Sequence, residues 1–525
     1  MISTNAIRKI EYGDFQTPEL FARKVCQKIH DIYKLSPSII LEPTFGIGNF
    51  FPGIISTFPQ PFKLFGIEIN SDYYNIAQQT ISKLTPNNIQ HQNIQIKLFN
   101  DDIFSFNYDK IKDSLSTDNH LLIIGNPPWV TNSQLSSLNS NNIPNKTNQK
   151  ALCGLDAITG KANFDIGEYI ITSLLCEFSN FNCFLAMICK LTVAKNIIRD
   201  LSAYNLSINI ADVYVFKATD VFNINCDVCL FVTQLGNDHK KVCSVYDFDT
   251  NKKIRTFGWL NGSFYSNFNG QEKSAFDGKC QLEWRQGIKH DCVKVMEFMS
   301  SDEVYFQNLL KEVHSFTMGR YIFPLIKSSD IKSFYITKTR KYVLVPQSRV
   351  NEETSIIKHI EPNVWDYLQN HKNYFQARRS LIYKNSPEFS IFGVGDYSFS
   401  KIKIGVSGFY KEPIFSLIIG QYPIMLDDTC YFLSFNDLND AIITLSLLNS
   451  KECNSFLKNI AFLESKRPFT KEILQMIDLY KLSEAVSFET ISQFIFDNLN
   501  SYTISIEDFI NFKERFKMLQ EQRLF

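Results

Sequence analysis

Short apolar runs separated by polar, turn-rich stretches organise the first half of the chain. Leu121-Leu122-Ile123-Ile124-Gly125 reads as a strand buried on both faces. Ile39 to Leu41 and Phe62 to Ile67 read as further apolar strands, Ile94 to Phe99 as a third, and Phe184 to Cys189 as another buried one. Ile208 to Val215 and Cys226 to Thr233 look like the last two strands of the set. Between them the spacing turns helical. Apolar residues at Leu20, Phe21, Val25, Ile29 and Ile32 predict a helix from Glu19 to Leu35. Ile166 to Phe178 and Lys195 to Leu201 predict two more. Strands alternating with helices imply βαβ units and an α/β fold. Ser133 to Gln149 is rich in Asn and Ser and reads as a long polar loop.

The pattern then changes. Gly236 to Leu282 carries only weak strand signals and reads as connector. From Trp284 onward come short β-rich runs and turns, such as Tyr342 to Val345 and Phe389 to Tyr397. Beyond Ile473 the chain reads as helical packing segments. The expected division is therefore 1–235, a catalytic α/β domain; 236–284, a connector; and 285–525, a mixed α+β domain. A chain of 525 residues can bury a core in each. No apolar stretch is long enough to span a bilayer, and no signal segment is evident, so a cytoplasmic protein is expected. The 12 cysteines are scattered, many in apolar runs, as reduced core residues would be. Cys226 and Cys229 form a lone C-x-x-C inside an apparent strand, and no metal site is expected.

Chemistry collects at the strand ends. In Asn126-Pro127-Pro128-Trp129 the prolines cannot continue a ladder, so the chain must turn. Such a turn sits at the carboxyl edge of an open α/β sheet, where ligands bind. It presents an amide oxygen, a fixed backbone carbonyl and a flat ring, a set suited to a planar amino group. Alone, the tetrapeptide reads equally well as a strand-ending turn with a packed tryptophan. Upstream, Ile39-Ile40-Leu41 runs into Glu42-Pro43 and a Gly46-Ile47-Gly48 turn. The third position of a dinucleotide fingerprint is Phe51, which favours a ligand without phosphates. Glu68 closes the second strand, where an acidic residue can accept from ribose hydroxyls. Asp102 follows the third, placed to accept from an adenine amino group while Ile103 packs on its ring. Each carboxylate alone reads as a solvated strand end; four polar strand ends at one edge point to a site.

The order Phe15-Gln16-Thr17-Pro18-Glu19-Leu20, Glu42-Pro43-Thr44-Phe45-Gly46-Ile47-Gly48, Glu68, Asp102, Asn126-Pro127-Pro128-Trp129 resembles the gamma-ordered DNA N6-adenine methyltransferases of type II restriction-modification systems. The resemblance implies a Rossmann-like domain with a mostly parallel twisted sheet, followed by a C-terminal mixed α+β target-recognition domain. It implies methyl transfer from S-adenosylmethionine to an adenine flipped out of double-stranded DNA. Thr17, Glu42, Pro43, Gly46, Gly48, Glu68, Ile69, Asp102, Ile103 and Asn126 are then expected around the cofactor. Asn126, Pro127, Pro128 and Trp129 are expected at the target base, with Phe222 a candidate for its other face and equally readable as a core aromatic. Trp129 stands where the family more often has Tyr, so the stacking surface is kept and the hydroxyl lost. The Asn126 oxygen and the Pro127 carbonyl would accept both amino hydrogens and aim the nitrogen, which is positioning catalysis.

Four elements resemble the family's specificity regions more loosely: Lys327-Ser328-Ser329-Asp330, Phe392 to Tyr397, Asp427 to Tyr431 and Lys466-Arg467-Pro468. Formal net charge is zero, yet Lys311 to Lys411 holds sixteen Lys or Arg against eight Asp or Glu. Aromatics are interleaved there, and cations such as Lys341 and Arg378 are expected to face the duplex. A separate cognate restriction endonuclease is the expected protein partner. A fused nuclease is not expected, since the Thr17-Pro18 motif begins so near Met1 and Glu464-Ser465-Lys466 lacks an evident acidic partner. No Pro-Cys dipeptide is present for cytosine-C5 chemistry. Two alternatives stay open: an amino-methyltransferase acting on RNA or protein glutamine, and a non-catalytic DNA-specificity subunit. The large C-terminal half argues against the first and the intact motifs against the second.

Overall fold

A computed structural model describes residues 15–88, 93–116, 120–130, 165–224, 226–260, 262–267, 278–378, 380–463, 465–499 and 501–521. The expected loop from Ser133 to Gln149 lies outside them, as does Glu464. The chain divides into two compact units, Met1–Gly270 and Gln271–Phe525.

The first unit is built on one sheet. Its strands are β1 (Ile39–Glu42), β2 (Phe62–Glu68), β3 (Ile94–Asn100), β4 (Leu121–Gly125), β5 (Cys183–Lys190), β6 (Ile208–Lys217), β7 (Asp227–Leu235), β8 (Val242–Asp247), β9 (Lys253–Leu260) and β10 (Ser263–Tyr265). They lie in the order β10-β9-β8-β6-β7-β5-β4-β1-β2-β3. Strands β1 to β5 pair in parallel, and β7 is inserted antiparallel between β5 and β6. Parallel strands covered on both faces must be apolar throughout. Every residue of β1 and β4 is buried, as their unbroken runs require. The helices are α1 (Glu19–Tyr33), α2 (Phe51–Thr57), α3 (Ser71–Asn88), α4 (Asp109–Lys112), α5 (Ile166–Glu177), α6 (Leu191–Asp200) and α7 (Ala218–Phe222). Helix α1 buries Ala22, Val25, Cys26 and Ile29, one stripe of a helical period. Leu20, counted into that stripe from sequence, is 77% exposed.

The connector expected over 236–284 is corrected here. Residues 242–265 form β8, β9 and β10, with β8 parallel to β6, so they extend the first sheet. The compact unit runs on to Gly270.

The second unit holds two sheets. A six-stranded one orders 313–315, 305–308, 297–299, 341–344, 322–326 and 425–426 side by side. A five-stranded one orders 285–286, 430–435, 402–407, 415–419 and 335–336. Helices Leu438–Leu448, Lys451–Ile460, Phe488–Asn498 and Ile506–Glu521 follow, giving the mixed α+β composition. Phe389 to Tyr397, read as β-rich, is instead turns: Phe392 bridges to Lys289, and a 3-10 turn spans Asp396–Phe399.

Candidate active site

The chain leaves β1 for β2 and β3 on one side, then returns to β4 on the other. That reversal opens a crevice at the carboxyl ends, the switch point of a doubly wound sheet. A cavity lies there. Of the residues expected from sequence, Thr17, Glu42, Pro43, Gly46, Glu68, Ile69, Asp102, Ile103, Asn126, Pro127 and Pro128 line it. Gly48, Trp129 and Phe222 do not. Phe15, Gln16, Phe45, Asn49, Phe50, Tyr73, Phe104, Ile166 and Ile170 also line it and were not singled out. Phe15 and Gln16 adjoin Thr17, so their neighbourhood was the available signal.

The turn after β1 needs its glycines for different reasons. Both have positive φ, +56° at Gly46 and +83° at Gly48. A Cβ on Gly46 would lie 2.5 Å from Gln16 Oε1, inside the cavity wall. A Cβ on Gly48 would meet the Phe51 ring at 2.8 Å, so Gly48 serves packing. Glu68 fixes this turn. Its Oε2 accepts from the Gly46 N–H and its Oε1 from the Asn70 N–H, each at 2.8 Å. Carboxylate oxygens carry further acceptor sites, so this does not exhaust Glu68. Asp102 Oδ1 accepts from the Phe104 N–H at 3.0 Å, shaping the turn that presents Ile103.

Two buried polar atoms stand out. Glu42 is 1% exposed, and its Oε2 has no hydrogen-bond partner among the described residues. Burial, then the nearby charge of Glu68, pushes its carboxyl well above the usual range. Asn126 Oδ1 is likewise buried and unpartnered. The Asn126 amide nitrogen donates to the Phe15 carbonyl at 2.9 Å and to Thr17 Oγ1 at 3.1 Å. Two acceptors on the nitrogen side fix the amide's orientation, so the oxygen side is the one left open.

Trp129 is placed differently from the expectation that it stacks on a bound ring. It is 5% exposed and belongs to the core cluster of the unit. Its ring packs on Phe15 at 5.4 Å and meets Phe222 edge-to-face at 4.8 Å. The two aromatics expected to flank a base touch each other, so none fits between them in this conformation.

The donor set fits S-adenosylmethionine. An unpartnered buried carboxylate (Glu42) suits its ammonium group, and Glu68 faces the same cavity from the next strand. The exposed Ile69, with Ile103, offers apolar contact for a purine. When bound, that molecule supplies an electrophilic methyl group.

Fold and site together define a Rossmann-like α/β domain with a switch-point cavity whose donor set suits S-adenosylmethionine. The structure is similar to the type IIL restriction-modification enzyme MmeI, solved in complex with DNA, with a TM-score of 0.50 and 13% identity. The match covers 98% of this chain and 75% of that one, and at such identity it concerns the fold alone. In sequence the chain is 38% identical over 483 residues to the type II methyltransferase M.NspV of Nostoc sp. (strain ATCC 29411 / PCC 7524), covering 91% of this chain and 98% of that protein. The chain belongs to the type II methyltransferases. No family model matches it. Among the described residues no helix is long and apolar enough to cross a membrane.

Proposed function

We propose that this protein is a site-specific DNA adenine-N6 methyltransferase, acting on an adenine flipped out of duplex DNA and protecting that DNA from a separate endonuclease. The observation that carries this reading is the Asn126 side chain, whose nitrogen is held at two acceptors while its buried oxygen has none. An unsatisfied buried oxygen costs roughly 1–3 kcal/mol, which a donor arriving with the substrate offsets. An exocyclic amine is such a donor. Its lone pair is delocalised into the ring, so it needs aiming more than it needs a base. Asn126 Oδ1 and the Pro127 carbonyl accept its two hydrogens and orient the nitrogen toward the methyl donor. The proton leaves to water once the nitrogen is methylated, so no buried base is required. Glu42, Glu68, Ile69, Asp102 and Ile103 hold the cofactor. For a base to stack at this turn, Trp129 and Phe222 have to part. The second unit is assigned to target recognition.

The test is direct sequencing of genomic DNA, with detection of modified bases, from cells expressing the protein and an Asn126→Ala control. N6-methyladenine at one short sequence, absent from the control, is expected. Modified cytosine instead, or methyl transfer to RNA or protein with unmodified DNA, overturns the reading.

A further inference from the structure

Lys190 takes no part in the site as described so far. It ends β5, which pairs in parallel with β4 so that Gly125 lies opposite Met187. Continuing that register brings Lys190 to the level of Pro128, just beyond the sheet edge. Its Nζ donates to Asp165 Oδ2 at 2.5 Å and to the Trp129 carbonyl at 3.4 Å. The pair is largely buried, with the two side chains 23% and 12% exposed.

Asp165 has a second task. It caps α5, accepting from the Gly167 N–H at 3.0 Å. The first residue of α5, Ile166, donates its N–H to the Val130 carbonyl at 2.9 Å. A Cβ on Gly167 would stand 3.4 Å from Pro127 Cγ and 3.5 Å from the Pro128 oxygen, so this first turn rests directly on both prolines. The Asn126–Val130 turn is thus tied at both ends. The Asn126 amide is fixed by Phe15 and Thr17, and the Trp129 and Val130 carbonyls by Lys190 and Ile166.

We propose that Lys190 is a positioning residue for methyl transfer, acting through Asp165 and the Trp129 carbonyl to hold the backbone of the turn, and with it the Pro127 acceptor, in place. The inference rests on the amine-positioning role given to this turn above. Neither Lys190 nor Asp165 lines the cavity, so the pair acts on the turn and not on substrate. A displacement of about 1 Å at a reacting group costs as much as 10²-fold in rate, while ground-state binding is little affected.

The experiment uses the full chain with Lys190→Met, Lys190→Arg and Asp165→Asn, duplex DNA as substrate, and calorimetry with S-adenosylmethionine. For Lys190→Met, kcat is expected to fall at least tenfold, with KM for DNA and cofactor affinity within twofold of wild type. Lys190→Arg, which can reach both oxygens, recovers more than half of the lost rate on a logarithmic scale. If Lys190→Met does not fold, Asp165→Asn, which keeps the helix cap and loses the charge, is expected to lower kcat at constant KM by a smaller factor, at least threefold. A kcat within twofold of wild type, a parallel loss of cofactor binding, or no recovery with Arg overturns the inference. An active wild type matched by its variants refutes this inference alone; a wild type unable to methylate any duplex refutes the functional reading, and this inference with it.

Discussion

At the sheet edge of the first unit, Glu42 is buried and Asn126 half-buried, each with a buried oxygen that no described residue satisfies. In the second unit Glu297 is just as buried, at 2% exposure, yet it is crowded with partners. Lys327 Nζ lies 2.5 Å away, Lys341 Nζ 2.8 Å and His290 Nε2 3.5 Å. Burial pushes the Glu297 carboxyl up, but hydrogen bonds from those groups outweigh it and hold it at about 2. The same residue type carries opposite meanings in the two places. A polar atom left open at a cavity wall is free to bond a ligand there; one that is saturated has its charge committed to the fold. The contrast also bears on Lys341 and Arg378, the cations expected to face the duplex, because both are engaged within the unit. Lys341 belongs to the Glu297 cluster. Arg378 donates to the Ser390 carbonyl at 2.6 Å and stacks on Tyr383 at 3.7 Å.

The largest expected effect breaks the open site. Asn126→Ala should lower methyl transfer by about 10²–10³-fold, the usual scale for removing one preorganised hydrogen-bonding group. Calorimetric affinity for S-adenosylmethionine should stay within a few-fold. Near-normal turnover would mean that the unpartnered oxygen is not waiting for the substrate amine.

Breaking the saturated site should cost stability instead. Glu297→Gln leaves Lys327 and Lys341 without their shared carboxylate, at an expected cost of about 3 kcal/mol in denaturant titrations. The pH dependence has a definite sign. The folded carboxyl titrates at about 2, below its ordinary 4.5, so its stabilisation is complete above pH 4.5 and is lost as pH falls toward 2. Wild type and variant should therefore converge in stability over that window. Parallel curves would refute the role given to the cluster.

How much of this was visible in the sequence depends on what kind of signal carried it. Strands β1, β2, β4, β5 and β7 showed themselves as apolar runs buried at nearly every residue, β3 and β6 by closely spaced apolar residues in half-covered strands, and the observed ends of all seven fall within about two residues of the expected ones. Their carboxyl ends then placed Glu42, Glu68, Asp102 and Asn126 at one edge. Strands β8 to β10 were missed because their apolar residues are few and broken up by polar ones; β8 buries just Cys243 and Val245, too short an alternation to stand out. The direction of the Trp129 ring was hidden, since a tetrapeptide motif does not say whether its aromatic faces cavity or core. The Lys190–Asp165 pair joins residues 25 apart and leaves no local pattern. The cation count is blind in the same way: it cannot tell a paired lysine from an open one.

A smaller effect sharpens the first half of the comparison. Because burial and Glu68 raise the Glu42 carboxyl, a bound ammonium group should displace its proton. Affinity for S-adenosylmethionine should then rise with pH, by at most about tenfold per unit below the Glu42 pKa. Titration in buffers of different ionisation enthalpy should show proton release on binding that Glu42→Gln abolishes. Equal proton release in the variant would assign the proton to another group.

The smallest effect concerns the cations that the fold has not consumed. Lys311, Lys332, Lys338, Lys358, Lys384, Lys401 and Lys411 are exposed and form no ion pair with another described residue. If the second unit faces DNA, phosphate contacts come from this set and not from Lys341 or Arg378. Alanine at a contacting member should weaken binding to all duplexes alike and reduce the slope of log affinity against log salt by about 0.9. Lys341→Ala should leave that slope unchanged and lower stability instead, because its charge is spent on Glu297. The reverse result, a slope change at Lys341 and none at any of the exposed lysines, would show that the Glu297 cluster opens on DNA and that its pairing in the protein alone is a resting arrangement.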